Sequence, residues 1–348
     1  MFRRCQKQYS FRYDTAEALG LDPSREMVTK RPRLPLRRGT WLHALLEAHH
    51  RTWAGLDVSP WEQVHEELRD QFDGLFEEEK EMLGDLPDEA YRLMRGYLRF
   101  WGEVEENYQV ATLDDGTPAV EFVLEVPLTK WGIEDPFKGR VDLLVEDLEY
   151  GGLWVWDHKW VKSVPTADER MMSPQNVMYT WGLRKMGYDV RGFLYNYGRT
   201  KPPAVPRLLK AGTLSMAQRM DTDYYTYLSA IKEVHGEMWK QYAKAVYRDK
   251  LLSLKGREAL WYRRERIPVE PVKIREGLAE FLTTVKDIER RSVKHPPRSY
   301  FYTCKFGCEY HDICCAEFAG LDIEPLIRSD FTFEDERYTQ SESDLLKE

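Results

Sequence analysis

Residues 151–163 read GGLWVWDHKWVKS, which sets an aspartate and a lysine two residues apart inside one of the most apolar runs of the chain. A β-strand points alternate side chains to opposite faces. Leu153, Val155, Asp157, Lys159 and Val161 then share one face, and Trp154, Trp156, His158 and Trp160 share the other. Apolar groups on both faces mark a largely buried strand. Stability is a poor reason to bury a carboxylate and an ammonium there, because desolvating such a pair often costs as much as their attraction returns. A mere ion pair at a sheet end is the plain reading of an isolated D-x-K, since short motifs match by chance.

The neighbouring sequence changes that balance. AVEFVLEVPLTKW (119–131) and FKGRVDLLVEDL (137–148) read as two preceding strands, separated from each other and from the third by GIEDP and EYGG turn chemistry. Antiparallel pairing of the second and third strands can set Asp142 opposite Asp157, with Cβ atoms about 5 Å apart. Two carboxylates at that distance repel, and only protonation or a cation relieves them. Hard oxygen ligands suit Mg²⁺ or Mn²⁺. Lys159, facing the same way, can reach the edge of such a site, orient or help deprotonate a water, and offset charge on a pentavalent phosphate. That is the chemistry of metal-assisted phosphodiester hydrolysis.

Helical patterns surround these strands. GTWLHALLEAHHRTWAG (39–55) carries apolar residues at Trp41, Leu42, Leu45 and Leu46 in helical spacing. Residues 60–109 stay helical and acidic, with a break near Gly84–Pro87. A helix is expected over Pro174–Met186, then a strand in GFLYNYGRTK (192–201). TKPPAVPRLLKAG is an extended linker, because its prolines continue neither ladder nor helix. Helical stretches over 216–247 and 271–291 follow. The expected organisation is a basic arm (1–40), a helical region (41–118), a sheet core (119–200), a linker and helical region (201–300), a cysteine segment (301–320), and an acidic, flexible tail (321–348).

The net charge of −8 argues weakly against non-specific nucleic-acid binding over the whole surface. The charge is segregated, however. Basic clusters occupy the first forty residues, Arg257–Arg275 and Arg290–Arg298, which leaves room for a local positive path for phosphates. No apolar run approaches the ~20 residues that span a bilayer, and the polar start lacks the character of a signal peptide. A cytosolic protein without membrane contact is expected. Five cysteines include a compact triplet, Cys304, Cys308 and Cys314, while Cys5 lies nearly three hundred residues earlier. In a reducing cytosol clustered thiols point to a metal or cluster, and zinc can use four such ligands.

In its motifs, GRVDLLVEDLEYGGLWVWDHKW resembles the G-x-x-D, hairpin and D/E-x-K pattern of the PD-(D/E)XK nuclease superfamily, specifically its RecB-like branch. GTWLHALLE is similar to the branch's G-x-x-x-H-x-x-x-E helix and QNVMYTWGL to its Q-x-x-x-Y helix, so the resemblance covers most of residues 1–318. It implies an α/β fold with a restriction-endonuclease-like core, a central mixed β-sheet flanked by helices, to which a helical insertion and the cysteine segment are added. By the same resemblance Asp142 and Asp157 are metal ligands and Lys159 the catalytic lysine. His43 and the carbonyl of His158 are further metal ligands, while Gln175 and Tyr179 serve the scissile strand or Lys159. An ordinary helix histidine and ordinary helix packing are the alternatives for His43 and for Gln175 with Tyr179. Glu47, four residues after His43, either orients it or is an ion partner on the helix face.

Relatives with an iron–sulfur cluster place one cysteine before the core and three after it. The resemblance therefore implies a [4Fe–4S] cluster on Cys5, Cys304, Cys308 and Cys314, with zinc as the alternative and Cys315 as a rival for the last position. Gln6 stands where the usual opening motif has proline, and the first gap of the triplet is three residues rather than two. The expected activity is that of a DNA exonuclease leaving 5′-phosphate and 3′-hydroxyl ends, acting on single strands or duplex ends. A non-catalytic DNA-binding subunit, or an end processor beside a recombinase, helicase or integrase, is the competing reading. There is no G-x-x-x-x-G-K-[ST] loop, so ATP-driven unwinding would need a partner. Arg199 and Lys201 are candidate DNA contacts, or solvated charges at a strand end.

Overall fold

The structure, a computed structural model, describes residues 1–30, 34–102, 107–291, 294–301 and 304–334. Its centre is a six-stranded mixed sheet. The strands are β2 (Tyr108–Val110), β3 (Val120–Val126), β4 (Phe137–Asp147), β5 (Leu153–Val161), β6 (Val190–Arg199) and β7 (Tyr262–Pro268), after a short β1 (Glu26–Thr29) that belongs elsewhere. The order is β2-β4-β5-β6-β7, with β3 pairing β4 beside β2. Only β5 and β6 run parallel, joined across the Pro174–Lys185 helix, as parallel neighbours require a crossover. The restriction-endonuclease-like arrangement expected from the sequence is thus the one observed.

Two helical layers cover the sheet. On one face the Leu34–Trp53 helix packs with the Trp61–Asp73 and Leu86–Trp101 helices around Leu42, Leu45, Leu93 and Met94, against Trp261 and Tyr262. On the other, the Pro174–Lys185 helix places Met178, Trp181 and Leu183 over Val155, Phe193 and Tyr195, with the Pro271–Arg290 helix outside it. The tryptophans of β5 behave as their alternation predicts. Trp154 and Trp156 are buried in a cluster with Leu143, Val145 and Leu194, while Val155 faces the opposite core.

The chain ends form a third, smaller layer. The Gln6–Tyr13 helix, β1, the His311–Phe318 helix and β8 (Phe331–Glu334) enclose Phe11, Met27, Tyr310, Ile313, Ile327 and Phe331. β1 and β8 pair antiparallel, and the Tyr310 hydroxyl donates to the Met27 carbonyl at 2.6 Å. Part of the expected flexible tail is therefore structured, as a helix at Glu324–Asp330 followed by β8. Four-residue strands are too short to show a period. The acidic stretch 335–348 lies outside the described residues, as do Arg31 and Arg33.

Several arginines of the basic clusters are folded into the protein, while others, such as Arg263, Arg275 and Arg290, are exposed. Arg264 lies 4.0 Å from the ring centroids of both Trp101 and Trp156, a desolvated cation–π sandwich worth about 2 kcal/mol or more per contact. Arg266 pairs with Asp147, Arg291 with Asp14 and Arg298 with Glu317. The 262–268 segment, read in the sequence only as charge, is the edge strand β7. Among the described residues no helix is long and apolar enough to cross a membrane.

Candidate active site

Strand register builds the site. β4 and β5 pair Leu143 with Trp156 and Leu144 with Val155, so the next step sets Asp142 opposite Asp157. On the other side of β4, β3 pairs Val120 with Leu143 and Phe122 with Val141, which brackets Glu121 opposite Asp142. Three carboxylates therefore lie side by side across three adjacent strands. The Asp142 carboxylate accepts the backbone N–H of His158 at 2.8 Å and lies 3.6 Å from Nδ1 of His43. His43 comes from the helix on one face of the sheet. Gln175 comes from the helix on the other, and its Nε2 donates to Asp157 at 2.8 Å.

Lys159 Nζ contacts both oxygens of Asp157, at 2.9 and 2.7 Å. Asp157 is 2 % exposed. Burial raises its pKa to about 6, with the Asp142 charge adding to the rise and the Lys159 ammonium opposing it. Asp142 is also raised, first by burial, against the pull of Lys159 and the His158 amide. Burial alone would lower the Lys159 pKa, but the carboxylates of Asp157 and Asp142 more than reverse this and hold it protonated. Such a site holds its charge at a cost, and a cation would lower that cost.

The donors closest to one another are His43, Glu121 and Asp142, whose ligand atoms all lie within 4.8 Å of each other. Imidazole and carboxylate oxygens are a donor set that fits Mg²⁺ or Mn²⁺. Asp157 sits at the edge of this group, its oxygens occupied by Lys159 and Gln175. Glu121 escaped the sequence reading because a glutamate on the solvent side of a strand is ordinary. Its strand was legible, but its left-handed backbone, φ 47°, was not.

The remaining expected residues fall into two classes. Tyr179, one turn beyond Gln175, covers Gly139 so closely that a Cβ there would lie 2.7 Å from the ring. The glycine of G-x-x-D and the tyrosine of Q-x-x-x-Y thus meet face to face. The His158 ring points away from Asp157 into the opposite core, 3.1 Å from Asn196 and tilted against the His50 ring at 5.0 Å between centroids. Glu47 is 4 % exposed and pairs with Arg51 at 2.7 Å, one turn further along its helix. Arg199 is gripped by both oxygens of Asp221 at 3.1 and 3.0 Å and lies over Trp261. Its guanidinium is engaged within the chain, whereas Lys201 is exposed.

At the chain ends the thiols converge. None of the five cysteines forms a disulfide. Burial raises the Cys308 thiol, and the thiols of Cys304, Cys5 and Cys314 are near enough to raise it further. Cys314 is likewise raised by burial, while Arg298 opposes the shift. The Phe301 amide donates to Cys304 Sγ at 3.3 Å. Cys315 is exposed, with Sγ 3.7 Å from His311. Cys5, just before the first helix, thus lies near the three thiols of the C-terminal segment, although among the described residues the cysteines form no group with ligand atoms as close together as those of His43, Glu121 and Asp142.

The profile of the PD-(D/E)XK nuclease superfamily matches residues 1–315. No curated protein matches the chain. With the mixed sheet, the Asp142, Asp157 and Lys159 constellation and a match over nine-tenths of its length, the chain belongs to the PD-(D/E)XK nuclease superfamily.

Proposed function

We propose that the protein is a metal-dependent DNA exonuclease of the RecB-like branch that leaves 5′-phosphate and 3′-hydroxyl ends. The observation that carries this reading is the placement of Asp142 opposite Asp157 with the Lys159 ammonium against Asp157. A dead site has no reason to keep a costly buried carboxylate pair beside a lysine. Asp142, Asp157, His43 and the His158 carbonyl would hold a divalent ion, which would supply polarisation of the phosphate and a lowered pKa for the attacking water. Gln175 fixes the Asp157 carboxylate by its amide hydrogen bond. Lys159 presents positive charge where the phosphate becomes more negative. Tyr179, seated on Gly139, holds the Gln175 helix against the sheet.

Cys5, Cys304, Cys308 and Cys314 hold a [4Fe–4S] cluster that acts as a staple between the chain ends. Closing a loop of nearly three hundred residues removes roughly 5–6 kcal/mol of unfolded-chain entropy. Exposed Lys201 lies among the positive groups that meet DNA. Action beside a recombinase, helicase or integrase accords with the lack of an ATP-binding loop.

Protein purified without air, incubated with Mn²⁺ and end-labelled linear DNA or a covalently closed circle, tests the exonuclease reading. Degradation of the linear DNA with the circle intact is expected, whereas rapid linearisation of the circle makes the enzyme an endonuclease. DNA binding without any cleavage turns the reading to a non-catalytic subunit.

A further inference from the structure

We infer that Arg170 is a positioning residue for the sheet site: paired with Glu265 on β7, it fixes the chain elbow that sets Gln175 on Asp157. The inference rests on the nuclease reading above and adds to it a residue that acts through Gln175. Three observations converge on Arg170.

The first is where the elbow lies. Residues 162–173 join the end of β5, which carries Asp157 and Lys159, to the Pro174–Lys185 helix, which carries Gln175. Gln175 is the second residue of that helix, so a shift of the helix start moves its amide directly. Helix ends have the fewest backbone hydrogen bonds and fray most easily. Ser173, at the N-cap, makes no side-chain cap hydrogen bond. This end is held from elsewhere.

The second is a closed circuit of contacts. Asp157 on β5 shares a rung with Tyr195 on β6, and Tyr195 shares one with Glu265 on β7. Glu265 accepts a hydrogen bond from the Arg170 guanidinium at 3.2 Å. Another nitrogen of the same guanidinium donates to the Pro165 carbonyl, at the start of the elbow. The Thr166–Glu169 capping box closes the turn between them. The Arg170 carbonyl in turn accepts Asn176 Nδ2 at 2.8 Å, and the adjacent Gln175 donates to Asp157 at 2.8 Å. The path leaves Asp157 along the sheet and returns to it through Arg170.

The third is energetic. Arg170 is 8 % exposed, whereas Met171 and Met172, which follow it, are 52 % and 77 % exposed. The elbow buries its arginine and leaves its methionines in solvent, the reverse of what burial of apolar surface favours. A buried ion pair seldom stabilises a fold more than apolar residues of the same size would. What the arginine supplies is direction. Its planar fork holds two acceptors at fixed angles, which apolar packing does not do.

The test replaces the pair as a unit. Arg170→Met with Glu265→Met removes the clamp without leaving a buried charge alone, a change that commonly preserves folding. Single-turnover cleavage of end-labelled DNA at saturating Mn²⁺ and DNA affinity are compared for four full-length proteins: wild type, this pair variant, Gln175→Ala, and the protein carrying all three changes. We expect the pair variant to bind DNA as wild type does but to cut about 10–100-fold more slowly, the usual cost of losing a group that orients a functional side chain. In the Gln175→Ala background the pair replacement should cost nothing further, because Arg170 acts through Gln175. A brace of the fold alone would instead add its loss to that of Gln175→Ala. A wild-type rate in the pair variant overturns the inference, and so does a loss that multiplies with that of Gln175→Ala. Should melting show the pair variant unfolded, Arg170→Lys, which keeps the charge beside Glu265 but gives up the fork, decides by the same comparison. Gln175→Ala cutting at the wild-type rate removes the inference alone. A wild type that cuts no DNA removes the nuclease reading together with it.

Discussion

The sheet site and the terminal cysteine layer solve the same problem, bringing distant donors together, by opposite means. In the sheet, Glu121, Asp142 and Asp157 come from three strands consecutive in sequence, and ladder register sets them side by side. In the terminal layer, the proposed cluster requires Cys5 to meet Cys304, Cys308 and Cys314 across most of the chain. A small apolar core, the β1–β8 pair and ion pairs such as Lys7 with Glu317 at 2.6 Å guide them. The first arrangement is held by a ladder that exists for other reasons. The second has few buried groups of its own and gains most from a covalent or coordinate tie.

That contrast gives removable parts unequal consequences. The largest effect is expected at Asp157. Asp157→Asn should lower the metal-dependent cleavage rate by roughly 10²–10³-fold or more, with far-ultraviolet circular dichroism unchanged because the ladder does not depend on the carboxylate. A collapsed spectrum would show that the site also holds the sheet together. Next comes the staple. If the proposed cluster is present, Cys308→Ser should strip its absorbance and weaken the terminal layer by up to about 5 kcal/mol. Hydrogen exchange would then report fast amides in β1 and β8 and slow ones in β4 and β5. Equal loosening of both regions would contradict the separation drawn here.

A smaller effect concerns pH. Burial holds His50 well below its ordinary pKa, and the nearby His49 and Arg264 charges add to this. His49 itself is lowered to about 4 by burial. The unfolded chain binds protons at these histidines below about pH 6.5 while the folded chain does not, so stability must fall as pH drops through that range. His50→Gln should flatten the acid limb of a melting-temperature profile by at most about 1.4 kcal/mol per pH unit. An unchanged slope would place the proton uptake elsewhere. The smallest effect is expected at Arg199, whose partly exposed fork with Asp221 is worth about 1 kcal/mol or less. Arg199→Ala should leave the salt dependence of DNA binding nearly unaltered. A clear drop in that slope would mean that the guanidinium leaves Asp221 for a phosphate.

Much of the sheet site was legible because it depends on local pattern. The alternation of 151–163 set the tryptophans against Asp157 and Lys159, and the short EYGG turn made the Asp142–Asp157 rung foreseeable. The helix at Pro174–Lys185 followed from its spacing, as did Gln175 and Tyr179 on one side of it. What the sequence concealed is non-local. β7 looked like a run of charge because its arginines find tryptophans and carboxylates far along the chain, as with Arg264 between Trp101 and Trp156. β1 and β8 are too short to show a period and pair across three hundred residues. Glu121 was hidden for a subtler reason. Its strand was recognised, but a backbone angle that breaks alternation has no signature in residue type when the residue is neither glycine nor asparagine.

The measurement that tests the central claim most directly is single-turnover cleavage of end-labelled DNA by wild type and Lys159→Ala, at saturating Mn²⁺ and matched DNA occupancy. The account predicts intact DNA binding and a rate lowered by at least roughly 10²-fold. Equal rates in the two proteins would remove Lys159, and with it the sheet site, from the chemistry.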